Sequence, residues 1–391
     1  MPRCALGALS AASAALITLS ACAEGDLPAD PPAIVDPSVR GASAPGEPPP
    51  GFGSYLAGRF AYASNDISSA ASFMEQALAG DPADHALLQR AVTLMVADGR
   101  IKDALALAPR LTQAEPGARI AHLLLALDDF AGRRYDAAEK RLDQVSPDGV
   151  YVLLLPAVRA WLTLARGSAP KAFEALEPIS RREAYAGFYH YQAALIADYG
   201  GDAKLADEHY RKTITVVPGG SLRAAEAYGA FLERQNRRAE AEAVYDGYLE
   251  KNPDTVWLDL VLERFGRCEA PKPAVASPLE GVAEALFDAA SAVPQDSGND
   301  AGLLYARLAL ELRPEFDVAR MLVGETLDAL NRPEKALAIY QSIGPGSPFA
   351  WTARLRAAAA HAQLERYDDA ITQLKLAVAD RKSTRLNSSH T

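Results

Sequence analysis

Residues 187–220 read GFYHYQAALIADYGGDAKLADEHYRKTITVVPGG, and their pattern decides the fold. Apolar and small residues recur at i, i+3, i+4 and i+7 from Tyr191 to Ala197, which lays one apolar stripe along a helix. Gly200 and Gly201 break that pattern, because glycine releases a helix C-terminus and admits a tight turn. A second periodic run passes through Ala203, Ala206, Tyr210 and Ile214 and stops at Pro218. The stretch therefore predicts two short antiparallel helices joined as a hairpin. Such a hairpin cannot bury its own apolar face and needs neighbours.

The neighbours recur at a fixed step. Counting back from Ala206 by 34 residues gives Ala172, Ala138, Ala104 and Ala70; forward, with one inserted residue, comes Ala241. After an irregular stretch the step resumes at Gly302, Ala336 and Ala370. Alanine is abundant, so a second register decides the matter. Twelve residues before each of these stand Gly58, Val92, Ala126, Ala160, Ala194, Gly229, Ala290, Gly324 and Ala358, nearly all small enough for close helix approach. A proline follows twelve residues later at Pro82, Pro116, Pro218, Pro253 and Pro314. An aromatic stands four residues after the alanine at Tyr210, Tyr245 and Tyr340.

This set of marks resembles the tetratricopeptide repeat (TPR), a helix–turn–helix unit of about 34 residues. The resemblance covers roughly residues 53–379, although the tryptophan usual early in the unit is missing. It implies an all-α, right-handed α-solenoid of about nine hairpins with a groove that binds peptides or protein surfaces, and it implies no reaction. Stretches such as YGAFLERQNRRAEAEAVY, PLEGVAEALFDAAS and LLYARLALELRPE are similar to a group of alphaproteobacterial TPR lipoproteins.

Residues 1–22 stand apart. Arg3 begins them, Ala5–Leu19 form an apolar run, and Leu-Ser-Ala-Cys closes at Cys22. The run is too short for a permanent span and reads as a secretory signal. Its ending resembles the lipobox of bacterial lipoproteins, which implies acylation of Cys22 and export to the envelope. Ala23, where Asp would favour retention in the inner membrane, leans towards the outer membrane. Residues 23–52 are rich in proline and poor in apolar side chains, as in a disordered or polyproline-like tether reaching ~3.1 Å per residue when extended.

The array is expected over 53–265 and 279–379, with a joint at 266–278, where the step is irregular and CEAPKPAVASP has a linker's composition. Pro156 inside VYVLLLPAVRAWLTLA is expected to kink that helix or delay its start, whereas Pro170 falls early in the next helix, where it is tolerated. Residues 380–391 begin DRKSTRLNSSH, without helical pattern or register, and resemble the translation of a sequencing-library adapter. They are expected to be a non-native tail on a chain truncated near Ala379.

The formal net charge is −10, and it becomes more negative once Arg3, Arg381, Lys382 and Arg385 are set aside. Such a chain is a poor binder of nucleic acid or of anionic membrane by electrostatics. Of three cysteines, only Cys268 lies beyond the signal, which gives no disulfide framework. There is no His-Glu-x-x-His, Gly-x-Ser-x-Gly, Walker or dinucleotide motif, so neither enzyme activity, cofactor nor metal is expected. His190 and His209 fall on different helices of one unit and read as surface residues.

By resemblance, the groove is lined by the first helix of each unit at its second, fifth, ninth and twelfth positions. Carried over, these positions include Tyr55 in the first unit, Leu127 and Phe130 in the third, Trp161 in the fourth, and Phe188 and Tyr191 in the fifth. The lining turns charged near Asp198, with Arg223, Glu226 and Glu233 in the sixth unit. The lysine and asparagine of a carboxylate clamp are replaced by Tyr55 and Arg59 in the first unit, which argues against acidic C-terminal peptides as ligands. Exposed aromatics here imply an interaction patch; tight winding that buries them against one another is the open alternative. The expectation is thus a non-enzymatic scaffold binding an envelope protein or peptide, or else the docking arm of an enzyme whose catalytic domain lies beyond the present C-terminus.

Overall fold

A computed structural model describes residues 51–217, 221–253, 258–292 and 300–388. Cys22, the signal segment and the tether up to residue 50 lie outside the described residues. Contacts divide the chain into Met1–Glu47 and Pro48–Thr391, and the elements below belong to the second unit.

Every regular element among the described residues is helical. Six hairpins come first: α1 (Phe52–Ala63) with α2 (Ile67–Gly80), α3 (His85–Asp98) with α4 (Ile101–Ala114), and α5 (Arg119–Ala131) with α6 (Tyr135–Leu142). They continue as α7 (Tyr151–Ala165) with α8 (Ala169–Ser180), α9 (Ala186–Gly200) with α10 (Ala203–Val216), and α11 (Leu222–Arg234) with α12 (Arg238–Lys251). A lone helix follows, α13 (Asp259–Gly266). After the non-helical residues 267–277, three more hairpins pair α14 (Pro278–Ala292) with α15 (Asp300–Leu312), α16 (Asp317–Ala329) with α17 (Pro333–Gln341), and α18 (Ala350–Gln363) with α19 (Tyr367–Ser388). Nine hairpins in an all-α solenoid agree with the expected architecture.

Each register mark has a physical cause. The small residue of the first helix receives the side chain four residues past the alanine of the second. A Cβ added at Gly229 would stand 2.3 Å from the Tyr245 ring, and one at Gly324 would stand 2.3 Å from Tyr340. At Gly58 the neighbour is Met74. The tyrosines then use their hydroxyls. Tyr210 donates to Asp198 at 3.3 Å, Tyr245 to Glu233 at 2.7 Å and Tyr340 to Asp328 at 2.7 Å, in each case across its own hairpin. Two of these carboxylates also accept from a later helix: Asp198 from Arg234 on α11, and Glu233 from Arg264 on α13 at 2.7 Å. One acid thus ties the two helices of a hairpin together and ties that hairpin to the next.

The turns repeat as well. In each of the eight hairpins whose turn is described, the residue five before the small residue of the second helix has positive φ: Asn65, Gly99, Arg133, Gly167, Gly201, Asn236, Asn331 and Glu365. Cys268 repeats this geometry after α13, although no second helix follows it. Glycine and asparagine suit the left-handed region, while arginine and glutamate are strained there.

Several local expectations need adjustment. Phe52 opens α1 and is not part of a tether. α7 begins at Tyr151 and continues through Pro156, so the proline does not delay its start. Pro170 sits in the first turn of α8, as expected. The expectation of a non-helical end is corrected: α19 runs on from the last repeat as far as Ser388, because nothing in 380–388 forbids helical φ and ψ.

The left-handed turns make a direct prediction. Arg133 is exposed and its φ is 58°. Arg133→Gly should raise stability by ~1 kcal/mol, the steric cost of a Cβ in this region, read as a higher midpoint in thermal melts. An unchanged or lower midpoint would show that the turn carries no strain.

Candidate functional site

The first helices α7, α9 and α11 present one face, and α14 lies on it. This contact crosses a long separation in the chain, since α14 packs against α7 and α9, while α15 packs against α3. Further along, Arg332 reaches the first hairpin and donates to the Asn65 carbonyl at 2.9 Å and to the Ser64 carbonyl. The helices after the joint therefore fold back over the first six hairpins.

The seat of α14 is built from three of its own residues. Gly281 lies flat on Trp161: an added Cβ would stand 2.2 Å from the indole ring. One turn on, Glu284 is fully buried and accepts from the Tyr191 hydroxyl at 3.2 Å. Arg223 of α11 donates to the same carboxylate through two nitrogens, and Arg313 donates at 3.0 Å. The Arg223 and Arg313 guanidiniums also lie 5.4 and 4.7 Å from the Phe316 ring centroid. A further turn along, Asp288 accepts from Gln192 Nε2 at 3.0 Å, and Gln192 Oε1 in turn accepts from Trp161 Nε1 at 3.0 Å. Trp161, Gln192 and Asp288 form one chain of hydrogen bonds; Tyr191, Arg223 and Arg313 converge on Glu284.

The electrostatics follow from burial. Burial first, and the Glu284 carboxylate second, push the Asp288 carboxyl up to about 8. Burial also pushes the Tyr191 hydroxyl well above its ordinary range, so it serves as a donor. Arg223 is held charged by Glu284 against the opposing effect of burial, its pKa raised well above the usual arginine value.

The six expected groove residues divide. Trp161 and Tyr191 are buried beneath α14 and are corrected from open groove positions to interior ones. Leu127 and Phe130 are also buried, Phe130 edge-on to Tyr135 of its own hairpin at 5.8 Å. Phe188 is half-buried. Tyr55 is half-buried too, with the Arg59 guanidinium 5.9 Å from its ring centroid. Of the charged residues expected from Asp198 onwards, Asp198 pairs with Arg234, Glu233 with Arg264, and Arg223 grips α14. Gln192, Gly281, Glu284 and Asp288 were not anticipated. Their one signal in the sequence is an acid inside the apolar run GVAEALF.

The histidine pair is also corrected. His190 Nδ1 and His209 Nδ1 are 2.9 Å apart, and His209 is buried, stacked on Phe173 and edge-on to Tyr189. Burial, then the neighbouring His190, lower His209 to about 4. Among the described residues no group of three or more His, Cys, Asp or Glu is placed to hold a metal, and no helix is long and apolar enough to cross a membrane.

Stacked hairpins with a fixed turn, a small-residue contact and a shared carboxylate define an all-α solenoid of helix–turn–helix repeats. Residues 61–127 match a family model described as "Tetratricopeptide repeat". No curated protein matches the chain. Among solved structures, the chain is similar to the P58(IPK) TPR domain, at 14% identity, over 86% of this chain and 97% of that one, with a TM-score of 0.24. It is also similar to yeast Tom70, at 12% identity, 87% and 96% coverage and a TM-score of 0.24. Naa15/Naa10 bound to HypK-THB gives 15% identity and a TM-score of 0.33, and this alignment covers 83% of this chain and 57% of that one.

Two predictions follow from the seat of α14. Trp161→Ala should lower stability by ~3–5 kcal/mol, as for a truncated core aromatic, with folded variant and wild type compared by denaturant unfolding. A loss below ~1 kcal/mol would place the indole at a surface. The second concerns pH. A folded acid with its pKa near 8 and an unfolded one near ~4 make this group's contribution complete at low pH and progressively lost as pH rises to about 8. Asp288→Asn removes that loss. The excess of the variant's melting temperature over wild type should therefore grow from about pH 5 to 8 and level off above it; a constant difference would show that Asp288 titrates normally.

Proposed function

We propose that the protein is a non-enzymatic scaffold of the bacterial cell envelope, held to the membrane by acylated Cys22 and engaging a partner protein or peptide through its repeats. The observation that carries the scaffold reading is the seat itself. Three successive first helices already receive a helix, with a fitted aromatic, a buried carboxylate and matched donors. A surface of this kind is built to recognise a helix, as grooves that take amphipathic helices do.

The envelope assignment is supported by the apolar run Ala5–Leu19, the Leu-Ser-Ala-Cys ending and the proline-rich residues that follow. One acyl chain alone binds a bilayer reversibly, so stable retention requires the multiple acylation that bacterial lipoprotein cysteines receive. Ala23 favours the outer membrane, with the repeats facing the periplasm.

Labelling with an alkyne fatty acid tests the anchor. Wild type should take up the label and fractionate with membranes, and Cys22→Ala should lose both. Labelling that survives the substitution would overturn the lipoprotein reading. In the same cells, crosslinking followed by mass spectrometry should give defined adducts with another envelope protein; only self-adducts would count against the scaffold.

A further inference from the structure

We propose that the outer face of α1 docks on the lipid bilayer, with the helix lying in the membrane interface as a second contact beside the acyl group on Cys22. This surface goes beyond the scaffold reading, although the nearness of the bilayer rests on the acylated Cys22 of that reading.

α1 reads FGSYLAGRFAYA, and its faces are the reverse of what solvent selects. Gly58 and Ala61 are buried, Gly58 against Met74 and Phe73 of α2. On the opposite side a surface helix ordinarily carries charge. Here that side carries Phe52, Leu56 and Phe60 at i, i+4 and i+8, with Ala63 among them and Tyr62 at the edge. Phe60 is 76% exposed, Leu56 50%, and Phe52 and Tyr62 45% each. The returning helices lie on α3, α7 and α9, while Arg332 reaches only the turn after α1. The outer face of α1 is left open.

Charge, area and position point to one occupant. Arg59 is the only charged residue from 48 to 65, in a chain whose net charge is −10. It stands on the same exposed face, 5.9 Å from the Tyr55 ring centroid. Aromatic rings settle at the boundary between acyl chains and headgroups, and a guanidinium beside them meets the phosphates. A helix without an acid also brings none of the repulsion that the rest of this chain would bring to anionic lipid. The four large side chains expose roughly 400 Å², about half of the ~800 Å² that each partner gives to a stable protein interface. A second copy would be poorly held there. A bilayer needs no matching surface, since each ring that enters adds its own burial. Position agrees, because only residues 23–50 separate Cys22 from Gly51, the N-cap of α1. An acyl group on that cysteine holds α1 beside the membrane at high effective concentration, where even a weak interfacial contact is realised.

The test uses the mature protein bound to vesicles of phosphatidylethanolamine and phosphatidylglycerol. An environment-sensitive thiol label is placed on the exposed face through Ala63→Cys in a Cys268→Ser background, and on the native, exposed Cys268 as reference. With the apolar face ~5–10 Å into the headgroup boundary, lipids bearing a nitroxide on the upper acyl chain should quench the label at residue 63 several-fold more than the label at Cys268. Phe52→Ser, Leu56→Ser and Phe60→Ser together should bring quenching at residue 63 down to the Cys268 level. The melting temperature should stay unchanged, because all three side chains are exposed. Should the triple variant not fold, Phe60→Ser alone replaces it, removing the most exposed ring. Quenching at residue 63 no greater than at Cys268 would overturn the inference, whether crosslinks from α1 then lead to a second copy or to an envelope protein. Quenching that survives the substitutions in a folded protein would overturn it as well. Fatty-acid labelling of Cys22 without quenching at residue 63 would leave the anchor standing and sink the α1 site; quenching without labelling would do the reverse.

Discussion

A tyrosine ring laid against a glycine sets the spacing on which the array depends. Where Tyr245 meets Gly229, and Tyr340 meets Gly324, the two helices of a hairpin come so close that no Cβ fits between them. The tyrosine is then fixed at its far end by a carboxylate on the opposite helix. Two such acids also hold a later helix through arginine, Asp198 through Arg234 and Glu233 through Arg264. Apolar contact and hydrogen bond fall within one pair of helices and the ion pair reaches the next, so each hairpin carries the geometry that its neighbour must match. A repeat protein has no single core, and its stability is close to a sum of such nearest-neighbour terms. The left-handed turn completes the unit by reversing the chain within a few residues, even where the sequence supplies Arg133 or Glu365 in place of glycine.

The joint after α13 changes what the array does with its open face. Without a second helix, α13 cannot pass the stack on in the usual way, and the following helices are free to take another course. They return across α7, α9 and α3. There a small residue again meets a ring, Gly281 on Trp161, and buried ions are added, with Glu284 between Arg223 and Arg313. A buried pair stabilises little beyond an apolar contact of equal volume, yet removing one partner is strongly destabilising. The seam therefore supplies specificity of register more than it supplies stability. Glu284 can meet its donors only when Gly281 lies on Trp161, and a slip of one turn would bury an acid against the indole.

The sequence revealed the local part of this and missed the distant part. The alanine and glycine registers report contacts within a hairpin, so the number of hairpins, their boundaries and the break near residues 266–278 could be read from spacing. Gly99, Gly167 and Gly201 marked turns by their own chemistry, whereas Arg133 and Glu365 hold the same φ with no such signal. Trp161 was legible as a large aromatic on the receiving face. What covers it was not, because Gly281 lies 120 residues away and no period of 34 links them. His190 and His209 illustrate the same limit on a smaller scale. They look like separate surface residues until the hairpin brings their Nδ1 atoms to 2.9 Å. Only Glu284 left a trace, as a charge where the apolar stripe of α14 should continue.

These two kinds of contact have different consequences for motion. Hairpin contacts bury rings and methyl groups in dry, close-packed seams, and opening one exposes the next repeat as well. The seat of α14 adds buried polar groups to such apolar contacts: two guanidiniums, a tyrosine hydroxyl, an amide and two carboxyls. Opening it would expose Trp161, Val282, Leu286 and Phe287 together with those groups. The returning helix is therefore held by apolar burial as well as by ions, and opening it breaks both kinds of contact at once.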